Sequence, residues 1–328
     1  MPNSKILITG GSGFIGSNLL EYYLSKGHSV LNLDISLPRN QKHLAYWKQT
    51  DILDYEGLSR SICEFKPHFV FHLAARTDLD GSSLDAYKAN VEGVTNIQNA
   101  IQAVKSIKRI LFASSRLVCK IGYTPISYTD YCPPNFYGES KAIGEQLVRD
   151  YAHSDHYDWL IFRPTSIWGP WFDVPYRQFF NSVISNKYVH PGNLQIPKSF
   201  GYVGNSVFQL NALSLAASEL ISDKTFYLAD YPPIDVLHMA NLIRKGILKS
   251  PVRSVPIAFL RLLASVGDIA KFAGVKNPPL TSFRLSNLLT PMIYDLSELE
   301  EIAGTLPFSL EEGVTQTLYW INSNRSGK

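Results

Sequence analysis

Thr9-Gly10-Gly11-Ser12-Gly13-Phe14-Ile15-Gly16 lies between a short apolar run, Ile6-Leu7-Ile8, and a helix-patterned stretch that begins at Phe14. Glycines 10, 13 and 16 have the spacing of a loop that turns tightly out of a strand, lets backbone approach a pyrophosphate, and seats a helix close on that strand. Free N–H groups at Phe14 and Ile15, together with the positive end of the helix dipole, then meet the phosphates. Eighteen residues after Gly16, Asp34 closes the run Leu31-Asn32-Leu33-Asp34. A carboxylate at the end of a second strand accepts hydrogen bonds from both adenosine ribose hydroxyls and repels a 2′-phosphate. Strand, loop, helix and acid together predict a dinucleotide site that prefers NAD to NADP, although Arg39 lies near enough to reach a phosphate.

On either side of this loop the first half alternates apolar runs with helical patterns, the signature of βαβ units and a parallel sheet. Strands are expected at 5–9, 29–34, 45–49, 69–73, 109–113 and 159–163, and helices at 14–25, 55–64, 91–104 and 137–153. The fold class is therefore α/β, a Rossmann-type doubly wound parallel sheet. After about Gly169 the rhythm changes: aromatics and prolines become frequent, and a helix over 210–221 follows without strict alternation. This predicts a dinucleotide-binding domain over 1–168 and a smaller substrate lobe over 169–328, interleaved with the last strands of the sheet, ending in a frayed tail at 322–328.

The chain has 328 residues, 45% hydrophobic and 18% charged, with 31 Lys and Arg against 28 Asp and Glu. Scattered basic residues and a net charge of +3 argue against nucleic acid as a partner. Cys63, Cys119 and Cys132 form no ligand-like cluster, so neither a metal site nor a disulfide framework is expected. Met1 to Lys5 leads straight into the first strand, leaving no room for a secretory leader; a cytoplasmic protein is expected. The most apolar later stretch, 255–275, is interrupted by Arg261, Asp268 and Lys271. It falls short of the about 18 uninterrupted apolar residues a membrane span needs, and as an amphipathic helix suits either a greasy substrate or a membrane surface.

The glycine loop, Asp51-Ile52, His72-Leu73-Ala74-Ala75, Asn90-Val91-Glu92-Gly93 and the later Tyr137-x-x-x-Lys141 together resemble the extended short-chain dehydrogenase/reductase family, and within it the NAD-dependent epimerase/dehydratase branch that includes nucleotide-sugar epimerases. The likeness extends to Arg163-Pro164-Thr165-Ser166-Ile167-Trp168-Gly169-Pro170 and to Leu306–Gly313 with Trp320. It implies that Asp51 and Ile52 contact adenine and that Leu73, Ala74 and Ala75 line the dinucleotide. His72 and Asn90 are read as structural. Relatives commonly pair through two helices, here 91–104 and 137–153, which implies a homodimer.

Tyr137 and Lys141 are four residues apart and share one helical face. A phenol with a pKa of about 10 is a poor base at neutral pH, and a nearby ammonium together with the nicotinamide's charge favours the phenolate. Tyr137 then takes a proton from a substrate hydroxyl, while Lys141 tunes the phenol and anchors the nicotinamide ribose. The family pattern makes Ser115 the hydroxyl that clamps the reacting oxygen, with Ser114 as the alternative one residue away. Next comes a departure: Arg116-Leu117 stands where the resembling sugar dehydratases carry Asp-Glu, so elimination of water is disfavoured.

The expected reaction is hydride transfer at a secondary hydroxyl of a nucleotide-activated sugar, as an epimerase or a dehydrogenase. Arg177, Lys198 and Arg284 are the candidate cations for its diphosphate. In Lys198-Ser199-Phe200-Gly201-Tyr202-Val203-Gly204-Asn205, Lys and Asn replace the Arg and Asp of the family's R-x-F-x-Y-V-x-D segment. Trp168, Trp171, Phe172 and Tyr176 could stack on a sugar or cap the core. The competing readings are a hydroxysteroid-type or other small-alcohol dehydrogenase, to which 255–275 gives weight, and a non-catalytic NAD-sensing module.

Overall fold

The computed structural model describes residues 3–153, 155–173, 175–275 and 280–324. Its first half holds strands Lys5–Thr9 (β1), Ser29–Asp34 (β2), Trp47–Gln49 (β3), Phe69–His72 (β4), Arg109–Ala113 (β5) and Asp158–Pro164 (β6). Between them run helices Phe14–Ser25 (α1), Tyr55–Phe65 (α2), Lys88–Ile101 (α3) and Phe136–Asp150 (α4). The second half adds Ser166–Trp168 (β7), Tyr176–Ile184 (α5), Val189–Pro191 (β8), Pro197–Lys198 (β9), Phe200–Tyr202 (β10), Val203–Leu215 (α6), Ser218–Ile221 (α7) and Thr225–Leu228 (β11). Ile234–Asp235 (β12), Val236–Gly246 (α8), Arg253–Val255 (β13), Ile257–Phe272 (α9), Ser282–Leu289 (α10), Ser297–Ala303 (α11) and Leu310–Ser323 (α12) complete it.

Seven strands form one parallel sheet in the order β11-β6-β5-β4-β1-β2-β3. Winding reverses at β1, which pairs with β2 on one side and β4 on the other, and such a switch point opens a crevice at the strands' carboxyl ends. Successive side chains alternate between the faces. Ile6, Ile8, Phe71, Leu111 and Phe162 meet α1 and α6 on one side, and Leu7, Val70, Ile110 and Ile161 meet α2 and α3 on the other. Burial on both faces is why these strands read as unbroken apolar runs.

Several boundaries differ from those expected. Residues 45–46 belong to a 3₁₀ turn over Gln41–Tyr46, started by the Asn40 carboxamide accepting from the Lys42 N–H at 3.1 Å, so only Trp47–Gln49 pair as a strand. The helix expected at 91–104 begins at Lys88, because a 3₁₀ turn over Leu84–Tyr87 runs straight into it. The expected 210–221 helix is two, α6 and α7, separated where Ala216 and Ala217 turn extended. The tail expected to fray is helical to Ser323, and 325–328 lie outside the described residues. Past β6 the chain makes small two-stranded ladders, β7 with β10, β8 with β13 and β9 with β12, while β11 returns to the main sheet beside β6.

Candidate active site

The glycine loop fits a dinucleotide by its close contacts. Gly10 has φ +74°, and a Cβ there would sit 2.6 Å from the Ala74 nitrogen and 2.8 Å from the Leu73 carbonyl carbon. The turn out of β1 is thus pressed against the turn out of β4. A Cβ on Gly16 would meet the Gly10 oxygen at 2.3 Å, so α1 seats on the loop with no room for a side chain. Gly13 is the N-cap of α1 and provides no side-chain cap, which leaves the N–H groups of the first turn to a ligand. Asp34 stands beside the loop: Oδ2 accepts from the Ser12 N–H at 3.0 Å and Oδ1 from the Ser36 N–H at 2.9 Å. A carboxylate has about four lone-pair sites, so both oxygens retain capacity for ribose hydroxyls. Arg39 instead donates to the Trp171 carbonyl at 2.7 Å.

Asp51 and Ile52 follow β3. The Asp51 Oδ1 accepts from the Leu53 N–H at 2.9 Å, and Ile52 is buried beneath Gly93. Leu73, Ala74 and Ala75 leave the end of β4, the first two against Gly10. His72 is buried, its Nδ1 hydrogen-bonded to the Thr9 hydroxyl at 2.8 Å; burial, with the charge of Lys141, pushes its pKa down to about 3. Asn90 accepts from the Arg76 N–H and donates to the Arg76 carbonyl and the Ser140 hydroxyl, tying the loop after β4 to α4. Both residues have the structural bonding expected of them.

Asn135 caps α4, its Oδ1 accepting from the Gly138 N–H at 2.9 Å, and so fixes the turn that carries Tyr137. A Cβ at Gly138 would lie 2.2 Å from the Leu117 oxygen, so α4 packs directly on the 3₁₀ turn Arg116–Val118 that follows β5. This contact brings Ser115, the N-cap of that turn, to the phenol. Burial raises the Tyr137 pKa; the Ser115 hydroxyl and the positive charge of Arg116 oppose the rise. Lys141, one turn further on, is buried beneath and donates to the Ala113 carbonyl at 2.9 Å. Burial pushes its pKa down to about 8, against the pull of Glu145. The cation that acts on the phenol here is therefore Arg116, whereas the ammonium of Lys141 is turned toward β5.

Ser114 faces the other way. Its hydroxyl donates to Glu145 Oε1 at 2.5 Å, and Glu145 in turn accepts from Arg163 Nε and Nη2, both at 2.7 Å, from Arg149 at 3.0 Å and from Tyr131 at 3.1 Å. Glu145 and Arg163 are both about 1% exposed. This buried network was not anticipated, although a charge inside the apolar run Trp159-Leu160-Ile161-Phe162-Arg163 demands a buried partner.

The three candidate diphosphate cations are dispersed. Arg177 stacks over the Trp320 ring at 5.4 Å. Arg284 lies in the first turn of α10, on its exposed side. Lys198 is buried and caps the other end of that helix, donating to the carbonyls of Asn287 and Thr290; burial, then Arg116, pushes its pKa down to about 8. Of the aromatic group, Trp168 and Phe172 are core residues packed on Phe180.

Residues 6–197 match the NAD dependent epimerase/dehydratase family. The chain belongs to that family. It is accordingly an NAD-dependent enzyme, and the loop, Asp34 and the β4 turn fit the cofactor. Among curated proteins it is 24% identical over 327 residues to the N-acetyl-alpha-D-glucosaminyl-diphospho-ditrans,octacis-undecaprenol 4-epimerase of Escherichia coli O157:H7, covering 97% of this chain and 95% of that protein. It is 28% identical to a 3 beta-hydroxysteroid dehydrogenase/Delta 5-->4-isomerase of Mycobacterium tuberculosis, over 72% of this chain and 68% of that one. Its fold is that of the UDP-glucuronic acid 4-epimerase of Bacillus cereus, solved with UDP-glucuronic acid and NAD: TM-score 0.73 at 20% identity, covering 98% of this chain and 99% of that one.

Proposed function

We propose that the protein is an epimerase that oxidises and then re-reduces one secondary hydroxyl of a nucleotide-activated sugar. The observation that carries this reading is the meeting of the Ser115 hydroxyl and the Tyr137 phenol at the carboxyl ends of the sheet, with Lys141 beneath them. Tyr137 Oη takes the proton of the substrate hydroxyl, and Ser115 Oγ holds the same oxygen. When bound, NAD supplies the hydride acceptor and returns the hydride. Tyr137 gives the proton back once the opposite face of the carbonyl has been reduced. Lys141 has N–H groups beyond the one bonded to Ala113, and these hold the nicotinamide ribose. Arg116-Leu117 presents no acid to expel water, and the full-length bacterial relative is by name an epimerase of a diphospho-linked sugar.

The diphosphate is met by cations of the second half, with Lys198 the best sited of Arg177, Lys198 and Arg284, since Arg116 beside the phenol also acts on it. We read the enzyme as a cytoplasmic homodimer paired through α3 and α4, which lie side by side on one face of the sheet; no described helix is long and apolar enough to cross a membrane. Incubation with UDP-, GDP- and dTDP-sugars, without added cofactor, is expected to yield the epimer of one of them. Net NADH formation from a 3β-hydroxysteroid, with no epimer from any sugar, would replace this reading with the dehydrogenase one. Tyr137→Phe is expected to lower turnover by roughly 10²–10⁴-fold while NADH binding, followed by fluorescence, persists; undiminished turnover would remove Tyr137 from the mechanism.

A further inference from the structure

Helix α9 has its apolar side turned outward. Its packed side is narrow: Leu260, Ala264 and Gly267 are buried, and Gly267 lies so close to the Leu280 carbonyl that no side chain fits between them. On the opposite side Phe259, Leu262, Val266 and Ile269 recur at helical spacing, all exposed, Ile269 by 69%. Phe272 extends the stripe at 96% exposure, and Phe283, at the start of α10, is 74% exposed. Single exposed apolar residues are ordinary, whereas a continuous apolar stripe marks an interaction surface.

The charge of the chain leading into and through α9 indicates what covers it. From 245 to 275 there are five exposed cations, Lys245, Lys249, Arg253, Arg261 and Lys271, and one acid, Asp268. The Asp268 carboxylate accepts from the Ser282 N–H, and none of the five cations forms an ion pair among the described residues. A second copy docked through a twofold axis would bring like charges together. An anionic lipid surface answers both features, taking the apolar side chains into its acyl boundary and the lysines and arginines at its headgroups. With three charged residues within 16, α9 is not an apolar span, and no described helix is long and apolar enough to cross a membrane.

We propose that α9 and the first turn of α10 dock the enzyme on an anionic phospholipid bilayer. The far end of α10 receives Lys198, whose neighbour Arg116 acts on Tyr137, so the lipid-facing surface and the reacting site belong to one continuous stretch of structure. Docking does not depend on which substrate is turned over.

The test is co-sedimentation of the full chain with vesicles of phosphatidylglycerol and phosphatidylethanolamine, or of phosphatidylcholine alone. Binding is expected to the anionic vesicles only, to weaken with added salt, and to fall at least tenfold in Leu262→Glu/Ile269→Glu. Both positions are solvent-exposed, so NADH binding and Tm should be unchanged. Should that variant misfold, Arg261→Glu/Lys271→Glu is expected to show the same loss. The proposal is overturned if the wild type ignores anionic vesicles or if folded variants bind them undiminished. It is equally overturned if sedimentation velocity shows a dimer that Leu262→Glu dissolves, since a second copy would then own this surface.

Discussion

In the proposed reaction Tyr137 must lose its proton in a site that opposes the loss. Burial raises its pKa, and the neighbouring Tyr87 phenol, with ring centroids 6.0 Å apart, adds to the rise. Arg116 is the cation that counters it. Removing that charge by Arg116→Leu should raise the phenol pKa further. The rising limb of kcat/KM against pH is therefore expected to move to higher pH, with NADH affinity unchanged; superimposable profiles would show that Arg116 does not tune the base. The spacing of Tyr137 and Lys141 dictates a shared helical face, but such a pair is common on helix surfaces and points to chemistry only downstream of the glycine loop and Asp34. Arg116 was legible only as a departure from a pattern, since the approach of a turn after β5 to the first turn of α4 leaves no trace in local sequence.

Helix α4 can hold the proposed reacting groups because both ends of its contact surface are fixed. At its start, Gly138 lets it lie on the Leu117 carbonyl, and a Cβ there would require backbone to move. Gly138→Ala is expected to cost roughly 1–3 kcal/mol, the usual range for overpacking, and to lower kcat together with Tm by tilting Tyr137 away from Ser115. A turn beyond Lys141, Glu145 bolts the same helix to β6 through Arg163, whose guanidinium also lies over the Tyr128, Tyr131 and Tyr227 rings. Removing one partner of a buried pair leaves an uncompensated charge. Glu145→Gln should accordingly lower unfolding free energy by roughly 3–5 kcal/mol, read from the urea midpoint at constant m-value. An effect below 1 kcal/mol would mean that the Tyr128 carbonyl and the three tyrosine rings suffice for Arg163 without the carboxylate.

The two halves of the molecule differ in how far sequence reveals them, and the reason is strand length. In the sheet, runs such as Phe69-Val70-Phe71-His72 are buried on both faces and flanked by helices, so pattern and structure coincide. In the second half the ladders are two or three residues long, too short for any periodicity, and pair segments such as β8 and β13 across about sixty positions of chain. Asp230 lies where that half rejoins the sheet, directly after β11. Its Oδ2 accepts from the Tyr202 N–H and its Oδ1 from Asn205, linking β10 and α6 to the sheet edge. Burial pushes its pKa up to about 7, against those two hydrogen bonds. An acid whose pKa is raised on folding binds its proton more tightly in the native state, so its favourable contribution is complete below the unfolded value of 3.8 and is lost as pH rises to about 7. Asp230→Asn removes this dependence. Whatever constant offset the amide introduces, the variant's stability relative to wild type is expected to improve between pH 4 and pH 8, by roughly 3–5 kcal/mol at about 1.4 kcal/mol per unit. Paired urea titrations at the two pH values measure the change, and a difference that stays constant would mean that Asp230 ionises in the fold as readily as in the open chain.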